Sequence, residues 1–195
     1  GVSSAASDVY KRQVLYAGAH GDANALDNVI EAARWLERKR SSVQLRLVGD
    51  GPDKAALISQ AEGLTNLSFE APLPKASIPA VMAEADAILL SLRDVPLFRY
   101  GVSPNKLYDA YAIARPVVTT VPGAINDEVT TEAIGVAVQP GDPVALGKAL
   151  MELADKPQAE RQAMADRARC LAETIYSRQR INAKYDQLLR GCLAR

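Results

Sequence analysis

In the stretch GVSPNKLYDAYAIARPVV, residues 101 to 118, a lysine stands where a helix is expected to begin and an aspartate follows three residues later. Ser103 suits the N-cap and Pro104 the first helical position, which puts Asn105 and Lys106 second and third. The positive end of the helix dipole lies there, so a lone Lys106 costs roughly 0.3 kcal/mol or more. A bound phosphate reverses that sign, because it meets both the free amides and the ammonium. The plainer reading is a solvated surface lysine. Asp109 carries two acceptor oxygens that match the two donors of a ribose diol, yet it is equally placed for an i,i+3 ion pair with Lys106. Spacing alone leaves both choices open.

Three further loops hold polar or glycine-rich residues. GAHGDAN (18–24) offers a backbone cradle for phosphate around Gly18, His20, Gly21 and Asn24, or simply a tight turn between a strand and a helix. It lacks the G-x-G-x-x-G fingerprint, and no Gly-Lys-Ser/Thr motif occurs anywhere. His20 is the only histidine, either a ligand contact or a loop residue without duties. GDGP (49–52) is explained as a turn, and it brings a second glycine-rich backbone to the same sheet edge. RDVPLFRYG (93–101) is longer than such a connection needs and carries Arg93, Asp94, Arg99 and Tyr100, as a loop closing over a charged ligand would.

The elements that must position these loops follow from hydrophobic periodicity. Short apolar runs at 14–18, 43–49, 67–70, 87–92, 116–120 and 135–138 alternate with segments of helical period, the pattern of βαβ units. Leu26, Val29, Ile30, Ala33 and Leu36 form one apolar helix face. Further helices are expected over 53–60, over 78–84 with Pro79 in the first turn, and from Ser103 with Leu107, Ala110, Tyr111 and Ala114 buried. Three more are expected over 143–154, from about Pro157, and up to about Leu189. The fold class is therefore α/β, a Rossmann-like parallel sheet of about six strands with helices on both faces and a helical tail. Such sheets bind ligands beyond the carboxyl ends of their strands, so the loops after residues 18, 49, 70, 92 and 120 form the candidate site.

Composition narrows the function. At 195 residues and 48% hydrophobic side chains, one sizeable core is the expectation. Lys plus Arg balances Asp plus Glu at 23 each, so no global field gathers nucleic acid or an anionic membrane. Basic residues outnumber acidic ones nine to five from Asp155 to Arg195, a solvated helix face or a surface for an acidic partner. Cys170 and Cys192 suggest neither a disulfide framework nor a metal site.

Taken together, VLYAGAHGDANALDNVIEAARWL, LRLVGDGPDKAAL, LSFEAPLPKASIPAVMAEADAILLSL, GVSPNKLYDAYAIARPVVTT and GVAVQPGDPVALGKAL resemble the carboxyl-terminal, nucleotide-sugar-binding domain of the retaining GT-B glycosyltransferases of the family 4 type. The likeness extends to bacterial transferases of capsule, O-antigen (lipopolysaccharide) and exopolysaccharide assembly. It implies a nucleotide diphosphate sugar as donor, often a UDP-sugar, a saccharide or polyprenyl-linked acceptor, retention of configuration, and no required metal or cofactor. By that likeness Asp109 stands where the family has its ribose-binding glutamate. The first acid of the family's pair falls at Gly101, leaving backbone amides around Gly101 and Val102 to meet the donor. Ala19 and Asn24 occupy the places of a diphosphate-gripping arginine and lysine, so Lys106, with Arg93 or Arg99, is expected to supply that charge. Glu70-Ala71-Pro72 is where the likeness puts the base-binding backbone, and Ala114-Arg115-Pro116 replaces a Gly-Lys-Pro turn.

The family has two lobes and this chain has room for one. The resemblance therefore implies a domain over 13–195, linker or vector residues over 1–12, and an acceptor lobe lying amino-terminal to it. A basic tail helix from near Leu171 is expected to look unpaired, and the isolated domain to bind donor weakly and transfer nothing. Cytoplasmic location is expected, with peripheral association of the full-length protein at the inner face of the bacterial membrane as the alternative. Two other readings stand beside this one: a nucleotide or anion binding module without catalysis, and an enzyme like the UDP-sugar 2-epimerases, whose histidine constellation is lacking here.

Overall fold

The computed structural model describes residues 11–193. The leader GVSSAASD, most of the expected linker and Arg195 lie outside the described residues. Arg12 already opens the first strand, one residue before the expected domain boundary.

Six strands form one parallel sheet: β1 (Arg12–Ala17), β2 (Val43–Val48), β3 (Leu67–Glu70), β4 (Ala87–Leu90), β5 (Val117–Thr119) and β6 (Gly135–Ala137). Their order across the sheet is β3-β2-β1-β4-β5-β6. Each lies within one of the apolar runs of the sequence apart from the start of β1, which is carried back to Arg12 by pairing with Val43. The order reverses between β1 and β4, and the crevice at that switch, beyond the carboxyl ends, is where such sheets take ligands.

Helices α1 (Leu26–Arg38), α2 (Lys54–Gln60), α3 (Ile78–Glu84), α4 (Pro96–Arg99), α5 (Asn105–Ala112), α6 (Ala124–Thr131), α7 (Pro143–Asp155), α8 (Gln158–Thr174) and α9 (Arg178–Leu193) complete the described chain. On one face α1 and α7 bury Ile30, Leu36 and Leu150 against Leu45, Leu47 and Leu89. Their approach is close enough that a Cβ on Gly147 would come within 2.7 Å of the Trp35 ring. On the other face α3, α5, α6 and α8 bury Met82, Leu107, Tyr111, Val129 and Leu171 against Leu15 and Ile88. Both faces of β1 and β4 are thereby covered, as a buried parallel sheet requires.

Two expectations about helices are corrected. α5 begins at Asn105 with Pro104 as its N-cap, because Pro104 keeps an extended ψ of 117°. Lys106 is thus the second helical residue. Ser103 does not cap the helix; its Oγ sits 3.1 Å from the Tyr108 hydroxyl. The helix that leaves the body is α9, not one starting near Leu171, which is buried within α8. The chain turns at Tyr176, whose hydroxyl donates to Glu128, and Ser177 Oγ then accepts the Arg180 amide at 3.3 Å to start the next helix. Among the described residues, no helix is long and apolar enough to cross a membrane.

Candidate functional site

Two glycine-rich turns interlock at the carboxyl ends of β1 and β2. The His20 amide donates to the Asp50 carbonyl at 2.8 Å and the His20 carbonyl accepts from Asp53 at 3.0 Å. Gly49, at φ 147°, lies so near that a Cβ there would stand 1.9 Å from the Gly18 carbonyl oxygen. Gly18 itself has no room for a side chain, since the Tyr16 hydroxyl crosses over it to the Ala19 carbonyl at 2.7 Å. Glycine is therefore required at position 49 by close approach and by conformation, and favoured at position 18 by close approach to the Tyr16 side chain.

These turns form one wall of a cavity of about 360 Å³. Pro72, Leu73 and Lys75 from the loop after β3 form another wall, and Ile78 and Lys106 from the starts of α3 and α5 close it. Lys106 Nζ lies 3.3 Å from Asp109 Oδ2, with the two side chains 29% and 42% exposed, so the pair is available to a ligand. α5 has no side-chain cap, and its first amides point toward its amino end. Larger hollows of about 480 and 800 Å³ occur elsewhere, but neither combines glycine-lined backbone with a helix start at the switch point.

The expected site residues divide clearly. Gly18 and Lys106 line the cavity together, and Asp109 reaches its edge through Lys106. Gly101 and Val102 lead into the uncapped start of α5, where Ser103, Pro104 and Asn105 follow. His20 does not line the cavity. It is fully buried beneath the Gly49 turn between Tyr16 and Phe69, ring centroids 6.1 and 5.9 Å away, and neither ring nitrogen has a partner. Burial, with Lys54 nearby, holds its pKa below the usual histidine value. Gly21 and Asn24 belong to the turn before α1, where the Asn24 amide donates to the Gly21 carbonyl at 3.0 Å.

The acidic and basic loop residues have structural partners instead. The Glu70 carboxylate receives Arg46 Nε at 2.7 Å and Nη2 at 3.0 Å, and its carbonyl receives Lys54 Nζ at 2.8 Å. Arg93 is held by Asp27 and Asp22, each at 3.0 Å, which ties the loop after β4 to the start of α1. Arg99 is bound to Asp94 at 2.8 Å, beside a separate small hollow near Gly123. None of the three lines the cavity, because a nearer opposite charge engages each. Lys75 and Asp50, which do line it, were legible only as parts of a loop, with no periodic signal to single them out. Among the described residues no group of three or more His, Cys, Asp or Glu side chains could hold a metal ion.

Comparison with known proteins bears on this arrangement. The family model described as glycosyl transferases group 1 matches residues 11–156, which include every element of the cavity. The chain belongs to the glycosyl transferases group 1 family. Among the relatives of this group 1 chain, the putative colanic acid biosynthesis glycosyltransferase WcaL of Escherichia coli K12 is 28% identical over 83% of the chain and 41% of its own length. A glycogen synthase of Mycobacterium tuberculosis is 27% identical over 83% of the chain and 38% of its own length. The group 1 chain thus spans about two fifths of the curated relatives it matches.

Solved structures agree in fold. HepE of Anabaena, in complex with UDP and glucose, matches with a TM-score of 0.76 at 18% identity, over 93% of this chain and 49% of that one. TarM of S. aureus, in a complex that includes UDP, matches with a TM-score of 0.77 at 15% identity, over 92% of this chain and 35% of that one. The group 1 chain shares their Rossmann-like, GT-B type architecture.

Proposed function

We propose that this chain is the donor-binding domain of a retaining glycosyltransferase that uses a nucleotide diphosphate sugar, with a UDP-sugar favoured. The observation that carries the reading is the cavity at the switch point, where Lys106 faces the backbone of Gly18 and Gly49 across a space suited to phosphoryl groups. UDP in the HepE and TarM complexes supports the choice of nucleotide. WcaL, named for colanic acid biosynthesis, supports a bacterial polysaccharide or lipid-linked saccharide as the product class.

In this reading the diphosphate rests on the uncapped amides of α5, and Lys106 stabilises the negative charge that grows on it as the glycosidic bond breaks. Lys75, across the cavity, adds a second positive charge in place of Arg93 and Arg99. Asp109 holds Lys106 in the absence of ligand and accepts the ribose diol once the nucleotide is bound. Backbone around Gly101 and Val102 faces the sugar, and backbone of Ala71 and Pro72 the base. The acceptor is received by the remainder of a longer protein, and closure between the two parts excludes water. That remainder, membrane-associated or not, would cover the exposed Ile181, Tyr185 and Leu188 of α9.

Calorimetric titration with UDP tests the donor site. Saturable binding that weakens about tenfold in Lys106→Ala, a loss of about 1.4 kcal/mol, is the expected result. Equal heats for the two proteins would remove the role of Lys106. For the longer protein, an NMR spectrum of the product with the donor's anomeric configuration kept supports retention, and an inverted one overturns it.

A further inference from the structure

At the amino ends of the strands, opposite the proposed donor cavity, three arginines line one cleft. Arg12 opens β1, Arg115 precedes β5 and Arg161 lies in the first turn of α8, and all three line a cleft of about 480 Å³. Two carboxylates share the lining; Asp86 is engaged, while Glu84 is 68% exposed and only loosely paired. Asp86 accepts the Gln13 amide at 2.8 Å and lies 3.5 Å from Arg12, while Glu84 lies 3.9 Å from Arg46. Among the described residues, Arg115 and Arg161 have no carboxylate partner.

Both of these guanidinium groups are fixed by backbone carbonyls. Arg115 donates to Ala83, and Arg161 to Lys156 and, at 3.4 Å, to Ala154 at the end of α7. Carbonyls carry only partial charge, so two full positive charges face one concave space with their side-chain entropy already lost. The Arg115 Nε is buried and has no hydrogen-bond partner, an arrangement that costs free energy. α8 has no side-chain cap, so its amino end adds the field of a helix terminus to the same cleft. Gln158 lines it too and offers a neutral amide, suited to hydroxyl groups.

We propose that this cleft is a second ligand site, which takes a small phosphomonoester with its dianionic phosphate between Arg115 and Arg161 and its polyol part toward Gln158. The cleft holds more than a bare phosphate, which favours an ester. Its α8 wall lies beyond residues 11–156 that match the group 1 model, and it does not depend on the donor-site reading. Occupancy would tie α8 to the base of the sheet through both arginines.

The test is amide NMR on the isotope-labelled 195-residue chain, titrated with inorganic phosphate and with glycerol 3-phosphate, against chloride at matched ionic strength. Saturable shifts centred on Ala83 to Asp86, Arg115 and Gln158 to Gln162, tighter with glycerol 3-phosphate, are expected. Shifts no different from those with chloride, or confined to Gly18, Gly49 and Asn105, overturn the site. In a chain carrying Arg115→Gln and Arg161→Gln the affinity should fall roughly tenfold or more, and unchanged affinity overturns the proposal. Arg161 also holds the end of α7, so Arg161→Lys, which keeps the charge and loses the fork, is the milder variant; it too should weaken glycerol 3-phosphate measurably. A UDP titration run alongside reads the donor cavity separately, so failure of either site is seen independently of the other.

Discussion

The Gly49 α-carbon faces the Gly18 carbonyl so closely that a methyl group on it would stand 1.9 Å from that oxygen. The glycine-rich turns after β1 and β2 are therefore one unit, and the wall of the proposed donor cavity depends on their contact. Gly49→Ala must both strain a backbone at φ 147° and push the turns apart. A loss of roughly 3 kcal/mol is expected from such a combination, read as a lower urea midpoint. Any variant that remains folded should bind UDP more weakly than the native chain. A midpoint unchanged by the alanine would show that the turns separate without cost.

Lys106→Ala should separate binding from stability. The lysine sits in the first turn of α5, where the dipole opposes it, while its i,i+3 pair with Asp109 returns a gain of similar size. The net change in unfolding free energy should stay within about 0.5 kcal/mol, as for partly exposed pairs generally. UDP affinity should nevertheless fall. A variant that loses several times that stability would mean that Lys106 is structural, and the proposed role in the donor cavity would have to be given up.

How much of this was legible in the sequence depends on which interaction decides each residue. The inner strands β4 and β5 stood out because each is an apolar run buried on both faces, the others because they are short β-branched or apolar runs between turns, and α1 because its stripe of Leu26, Val29, Ile30 and Leu36 is continuous. α6 gave little signal, as its sequence AINDEVTT puts only Ile125 and Val129 inward among apolar side chains and buries Asn126 by a bond to the Val138 carbonyl at 2.9 Å. Arg93 and Arg99 looked available for phosphate because their partners Asp27 and Asp94 could not be identified without the fold. Lys75 was overlooked for the opposite reason: only the folded loop after β3 brings it across from Lys106.

Glu128 links three elements. Its two oxygens accept from the Tyr111 hydroxyl at 2.7 Å and from the Tyr176 hydroxyl, joining α5, α6 and the turn before α9. Tyr111 is fully buried, and burial beside the carboxylate drives its pKa far above the usual tyrosine value. Glu128→Ala would leave that hydroxyl without its partner, at a cost of about 1–3 kcal/mol. Tyr111→Phe in the same background should recover part of the loss, since no buried donor then remains. Additive effects of the two changes in urea unfolding would show that the hydroxyl and carboxylate are not coupled.

His20 should give the folded chain a dependence on pH in a range where carboxylates do not titrate. Its imidazole is buried between Tyr16 and Phe69 with both nitrogens unpartnered, and burial first, then Lys54, lowers its pKa, against a weaker opposing effect of Asp50. In the unfolded chain the value is about 6.5. Between that pH and the lowered folded value, the unfolded chain holds the proton and the folded one does not, so stability is full above about pH 6.5 and declines as the pH falls. The Arg46–Glu70 pair behaves alike but lower down, because the guanidinium lowers the Glu70 pKa below the ordinary carboxylate range and its contribution fades only in stronger acid. His20→Leu keeps an apolar side chain in the space and removes the titrating group. Urea midpoints measured at about pH 7.5 and about pH 5.5 should fall for the native chain and fall less for the variant, with Tm following the same order. Parallel slopes for the two proteins would mean that the folded chain admits a protonated imidazole at this position, and that the two turns open more readily than their packing suggests.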